Sequence, residues 1–124
     1  MNIELPILLV DDLAAMRRVV RSLLQQIGYD CVSEAADGLS ALALLRTGGF
    51  QLLILDWNMP GLSGIELLNA IREEPGMATL PILMLTVEAR RDQIAAAKAA
   101  GVSGGLIKPF SAESLRTALE ALKT

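Results

Sequence analysis

Histidine is missing from all 124 residues of this sequence. That absence excludes Ser-His-Asp and Cys-His catalytic sites, an imidazole zinc site and a phosphohistidine carrier. Cysteine occurs once, as Cys31, so neither a disulfide framework within the chain nor a cysteine-rich metal centre can form. Aromatic side chains are scarce: Tyr29, Phe50, Trp57 and Phe110. The longest apolar runs, such as Leu5 to Val10, fall far short of the ~20 residues a membrane helix needs. The start, Met-Asn-Ile-Glu, carries no basic segment and reaches Asp11 without a long apolar stretch. No signal peptide and no membrane association are expected, and the expected location is the cytosol. Chemistry here must run on carboxylates, hydroxyls, amides and ammonium groups.

What is present is mildly acidic: 14 acidic and 11 basic residues leave a net charge of −3. A nucleic-acid partner would call for a clearly basic domain and is not expected. Arg17, Arg18 and Arg21 cluster, and are read as a solvated helix face. The length suggests a single domain spanning 1–124, able to bury roughly two-thirds of its unfolded surface. No linker or repeat interrupts it, and a monomer is expected.

The apolar pattern alternates between two periods. Ile7 to Val10 is a short apolar run ending at two aspartates, as a strand buried on both faces would. Met16, Val19, Val20, Leu23, Leu24 and Ile27 then form one helical stripe, stopped by Gly28. A weaker strand follows at Cys31 to Glu34, then a helix from Ser40 to Arg46 with Ala41, Leu42 and Leu45 inward. Leu52 to Leu55 is a third strand, ending at Asp56. A turn-rich segment leads to a helix marked by Ile65, Leu68 and Ile71. Ile82 to Leu85 ends at Thr86, and an alanine-rich helix spans Arg91 to Ala100. Leu106-Ile107 is a short fifth strand ending at Lys108-Pro109, and Ser111 caps a last helix with Leu115, Leu119 and Leu122 inward. Five strand–helix repeats imply an α/β fold with a doubly wound parallel sheet.

Ligands of open parallel sheets bind beyond the carboxyl ends of the strands. Those ends carry Asp11 and Asp12, then Asp56, then Thr86, then Lys108. Clustered carboxylates repel: a pair ~4 Å apart costs about 1 kcal/mol in water and about 4 at an effective dielectric of ~20. Such a cluster either raises its pKa values or binds a cation. Hard oxygen ligands suit Mg²⁺, and a carboxylate beside it can act as nucleophile toward a phosphoryl group. Lys108 supplies a point charge for phosphoryl oxygens, and Thr86 a hydroxyl donor. Taken alone, Asp11-Asp12 could instead cap the first helix.

These residues sit in segments that resemble the receiver domains of two-component response regulators. The likeness rests on Leu-Leu-Val-Asp-Asp at 8–12, Met-Arg-Arg at 16–18, Asp-Trp-Asn-Met-Pro at 56–60, Leu-Pro-Ile-Leu-Met-Leu-Thr at 80–86 and Lys-Pro-Phe at 108–110. The resemblance implies a five-stranded flavodoxin-like sheet in the order 2-1-3-4-5. It implies that Asp56 is the phospho-acceptor, with Asp12, Asp56 and the backbone carbonyl of Asn58 binding Mg²⁺ and Asp11 acting through a coordinated water. Lys108 would contact the phosphoryl group, Thr86 would be the switch hydroxyl, and Lys108-Pro109 would be a cis peptide. Trp57 would report metal binding by fluorescence. The likeness is greatest to stand-alone chemotaxis regulators, implying a sensor histidine kinase upstream and a flagellar motor switch protein downstream.

Two positions depart from the family pattern. Gly105 stands where an aromatic residue usually lies, so threonine–aromatic coupling is expected to be absent. Val87 replaces a usually smaller residue after the switch threonine, and slower phosphate loss is expected from it. Other readings are a phosphate sink, a receiver of another two-component pathway, a receiver cut from a longer regulator, and a Mg²⁺-dependent phosphohydrolase. Against the last, the acids after the first strand are adjacent and the chain lacks room for a cap domain.

Overall fold

A computed structural model describes residues 5–56, 64–86 and 91–122. Five strands alternate with five helices: β1 Ile7–Val10, α1 Ala14–Gln26, β2 Val32–Ala35, α2 Gly38–Arg46, β3 Leu52–Asp56, α3 Gly64–Glu73, β4 Ile82–Thr86, α4 Arg91–Ala99, β5 Gly104–Ile107 and α5 Ala112–Leu122. The strands form one parallel sheet in the order β2-β1-β3-β4-β5. The strand order implied by the family resemblance therefore holds. Among the described residues, no helix is long and apolar enough to cross a membrane.

The central strands are buried on both faces, as near-continuous apolar runs require. Leu8, Val10, Leu53, Leu55, Ile82 and Met84 face α2, α3 and Ala97 of α4. Ile7, Leu9, Leu52, Ile54, Leu83 and Leu85 face α1 and α5. Two apolar layers thus enclose the sheet, and the polar residues at its strand ends are left at one rim.

Helix boundaries follow local chemistry. Gly28, at φ 101°, ends α1 in the left-handed conformation a side chain resists. The expected start of α2 at Ser40 moves back to Gly38, because the Asp37 carboxylate accepts from the Ser40 N–H at 2.7 Å. Ser111 caps α5 as expected: its Oγ accepts from the Ser114 N–H at 3.1 Å, and the Ser114 Oγ accepts in return from the Ser111 N–H at 3.0 Å.

Some expectations need correction. Val19 is 53 % exposed, so the α1 stripe narrows to Val20, Leu24 and Ile27, with Met16 and Leu23 at its margin. The second strand lies one residue later than expected, because Ile7 to Val10 pair with Val32 to Ala35. The fifth strand starts two residues earlier, at Gly104. Ladder hydrogen bonds to β4 need only backbone, and Gly104 and Gly105 pair with Leu83 and Met84. The turn segment 57–63, with Trp57 and Asn58, lies outside the described residues, as do Val87 and the side chain of Ile65.

Candidate functional site

Parallel pairing in register sets the site. Val10 lies opposite Leu55, so Asp11, one step beyond β1, arrives at the level of Asp56. Asp56 pairs with Leu85, which sets Thr86 one residue further along β4, and Thr86 pairs with Ile107, the neighbour of Lys108. The Lys108 N–H also donates to the Thr86 carbonyl at 2.7 Å, and Lys108-Pro109 is cis. Asp11, Asp56 and Thr86 are the buried polar residues of an otherwise apolar interior, among those described. The structure therefore brings Asp11, Asp12, Asp56, Thr86 and Lys108 to one rim.

Carboxylate oxygens of Asp11, Asp12 and Asp56 lie within 4.8 Å of one another. Lys108 Nζ donates to Asp56 Oδ1 at 3.1 Å and stands 3.7 Å from Asp11 Oδ2. One ammonium thus faces two of the three clustered carboxylates. Burial pushes the Asp11 carboxyl above its ordinary value, helped by the nearby charges of Asp56 and Asp12. The hydrogen bond from the Leu13 N–H and the charge of Lys108 act the other way without prevailing.

The capping alternative for Asp11-Asp12 does not hold. Leu13 is the N-cap residue of α1, and no side chain caps that helix end. Asp11 Oδ1 accepts from the Leu13 N–H at 2.9 Å, and Asp11 Oδ2 is buried with no hydrogen-bond donor. A buried, unsatisfied carboxylate oxygen among like charges costs stability unless a cation reaches it. The donor set is hard oxygen, the chemistry of a Mg²⁺ site.

Comparison with known proteins gives the family of the chain. Residues 7–120 match the response regulator receiver domain. The chain belongs to that family. As a receiver domain it is 47 % identical over 116 residues to the chemotaxis protein CheY of Pseudomonas aeruginosa, covering 94 % of each chain. It is 46 % identical over 122 residues to CheY-3 of Vibrio cholerae, covering 98 % of this chain and 94 % of that one. The structure of Vibrio cholerae CheY4 superposes with a TM-score of 0.88 at 39 % identity, covering 94 % and 97 % of the two chains. A putative response regulator from Chloroflexus aurantiacus gives 0.88 at 32 % identity, covering 96 % and 98 %.

Beside the receiver's acidic rim lies a polar group that the linear sequence did not reveal. Arg17 is not part of a solvated face. Its Nε bonds Glu34 Oε1 at 2.9 Å, its Nη1 donates to the Asp11 carbonyl at 2.6 Å, and its side chain is 16 % exposed. Arg21 Nη1 meets the other Glu34 oxygen at 2.5 Å. These donors, Arg21 foremost and then Arg17, hold the Glu34 carboxyl below its usual range. The readable signal was two arginines four apart on one helix face and a lone acid near the end of a strand.

Gly105 lies exposed on β5. A cavity of about 270 Å³ opens beside it, lined mainly by Met84, Thr86, Ala97, Val102, Gly105 and Ile107. A Cβ added at Gly105 would meet only Met84 Cε at 3.5 Å and the Met84 carbonyl at 3.8 Å. No side chain of residue 105 itself fills this space.

Proposed function

We propose that this receiver domain accepts a phosphoryl group on Asp56 from the phosphohistidine of a sensor histidine kinase, with Mg²⁺, in chemotaxis signalling to a flagellar motor switch protein. The observation that carries the reading is Asp56 itself. It ends β3 in a three-carboxylate cluster, with Lys108 Nζ 3.1 Å away.

An Asp56 carboxylate oxygen attacks phosphorus, the P–N bond to the donor imidazole breaks, and the leaving nitrogen takes a proton. Because this chain has no histidine, the donor imidazole belongs to another molecule. Lys108 is placed to follow charge from the Asp56 carboxylate onto the phosphoryl oxygens. Thr86, one residue beyond the Asp56 partner Leu85, would offer its hydroxyl to the same group. Asp11 and Asp12, with Asp56 and the Asn58 carbonyl, would hold Mg²⁺. Bound there, the ion neutralises the negative charge that otherwise repels the phosphoryl donor. Gains and losses of this group are self-modifications of a switch that biases a two-state equilibrium.

The test is phosphotransfer from a chemotaxis-type kinase phosphorylated on histidine. Label is expected to move to this chain with Mg²⁺ and to stay on the kinase with EDTA. Retention on the kinase with Mg²⁺ present, or transfer indifferent to EDTA, contradicts the reading. A second reading, a phosphate sink, is favoured by the glycine pair of β5 on the side that would face a target. Capture of the motor switch protein by the phosphorylated form alone separates the two.

A further inference from the structure

Asp11 has four polar atoms, and three are held. Its N–H donates to the Ala35 carbonyl at 3.2 Å, its Oδ1 accepts from the Leu13 N–H at 2.9 Å, and its carbonyl accepts from Arg17 Nη1 at 2.6 Å. The fourth, Oδ2, is buried without a donor, 3.7 Å from Lys108 Nζ. Arg17 is fixed in turn. Glu34 takes its Nε at 2.9 Å and is itself gripped by Arg21. The end of β2 thus supplies both outer supports of Asp11: Ala35 through backbone, and Glu34 through Arg17.

We infer that Arg17, clamped by Glu34, is a positioning residue for the cation site. The inference rests on the Mg²⁺ reading above. The Asp11 carbonyl and the Asp12 N–H share one rigid peptide plane. Fixing that carbonyl therefore fixes the direction in which the chain leaves toward Asp12 and on to the Leu13 N–H, the donor that holds Asp11 Oδ1 and so aims Oδ2. The task suits arginine. Its planar fork reaches Glu34 through Nε and the carbonyl through Nη1, whereas a lysine ammonium would have to choose.

Positioning and charge predict opposite signs. Arg17 is a cation beside a cation site, so on charge alone its removal tightens Mg²⁺ binding. If it acts by aiming Asp11 and Asp12, its removal weakens binding. Wild type, Arg17→Met, Arg17→Lys, Glu34→Gln and Arg21→Met are titrated with Mg²⁺ alone by calorimetry, at a temperature where melting curves in EDTA show each fully folded. Arg17→Met is expected to weaken Mg²⁺ binding about tenfold, the usual scale for supports behind metal ligands. Arg17→Lys should not restore it. Arg21→Met, which leaves the carbonyl contact in place, should bind at least as tightly as wild type. Should Arg17→Met fail to fold, Arg17→Lys keeps the inference open to refutation, because it retains the positive charge while losing the fork that spans Glu34 and the Asp11 carbonyl. It is expected to weaken binding, and unchanged binding by it overturns the inference. Glu34→Gln, for which loss of the clamp and loss of an anion act in the same direction, is expected to weaken binding too. Unchanged or tighter binding by Arg17→Met, or equal weakening by Arg21→Met, overturns the inference. Wild type that binds no Mg²⁺ overturns the underlying reading as well, whereas unaltered variants beside a binding wild type overturn this inference alone.

Discussion

β1 leads directly into Asp11, a residue tethered through three polar atoms, whereas β5, on the opposite side of the sheet's centre, runs through two adjacent glycines beside a cavity of about 270 Å³. Around Asp11 nearly every polar atom is committed to a hydrogen-bond partner, and the remaining one lies among like charges with the Lys108 ammonium 3.7 Å away. Around Gly105 the backbone is paired but side chains are few, and Ile107 stands 50 % exposed. The difference separates two tasks. A site that must neutralise charge in the course of a reaction needs donors fixed beforehand. A surface that reports a change to a partner needs room to rearrange or to be filled.

The comparison breaks most severely if the charge balance on the fixed side is removed. Lys108→Met leaves the buried carboxylates of Asp11 and Asp56 without their cation, and should cost roughly 3 kcal/mol of stability by denaturant unfolding in EDTA. Much of that loss should return with Mg²⁺. A variant as stable as wild type in EDTA would show that the cluster is not under charge strain.

Asp11→Asn acts in the opposite direction. Removing a buried charge that like charges oppose should stabilise the metal-free fold by about 1–2 kcal/mol and weaken Mg²⁺ binding at least tenfold. Denaturant curves with and without the ion check both signs. A destabilised metal-free variant would mean that Lys108 already balances Asp11.

Glu34→Gln should cost about 1 kcal/mol near neutral pH, because Glu34 is only partly exposed and holds two arginines. Its carboxyl is depressed in the folded state, so its contribution is present above the ordinary value of 4.5 and fades as pH falls through the lower folded-state value. The gap between wild type and variant should therefore close in acid. A gap independent of pH would place the effect in packing.

The smallest effect sharpens the other side of the comparison. Gly105→Ala should stabilise β5 by about 0.5–1 kcal/mol, since its Cβ meets nothing closer than 3.5 Å. Gly104→Ala should gain less, because its Cβ would come within 3.1 Å of Leu122 Cδ2. Melting temperatures of the two variants measure how much space this edge really has.

The rim was legible in the sequence wherever an apolar run stops at a polar residue. Asp11, Asp56, Thr86 and Lys108 all follow such runs, and parallel pairing in register brings them together. The glycine half of β5 was not legible, because side chains carry the periodic signal and ladder bonds do not need them. The Arg17–Glu34 pair was missed for another reason. Its partners lie 17 residues apart and meet only because β2 flanks β1, so helical spacing alone presents Arg17 as a surface charge. The α2 boundary moved because the cap at Asp37 outranks the apolar pattern.

The central claim is that Asp56 receives the phosphoryl group, and intact mass after incubation with acetyl phosphate and Mg²⁺ tests it most directly. Wild type should gain one phosphoryl group and lose it on standing or at alkaline pH, while Asp56→Asn should gain none. An unmodified wild type, or an Asp56→Asn variant modified to the same extent, would contradict the account.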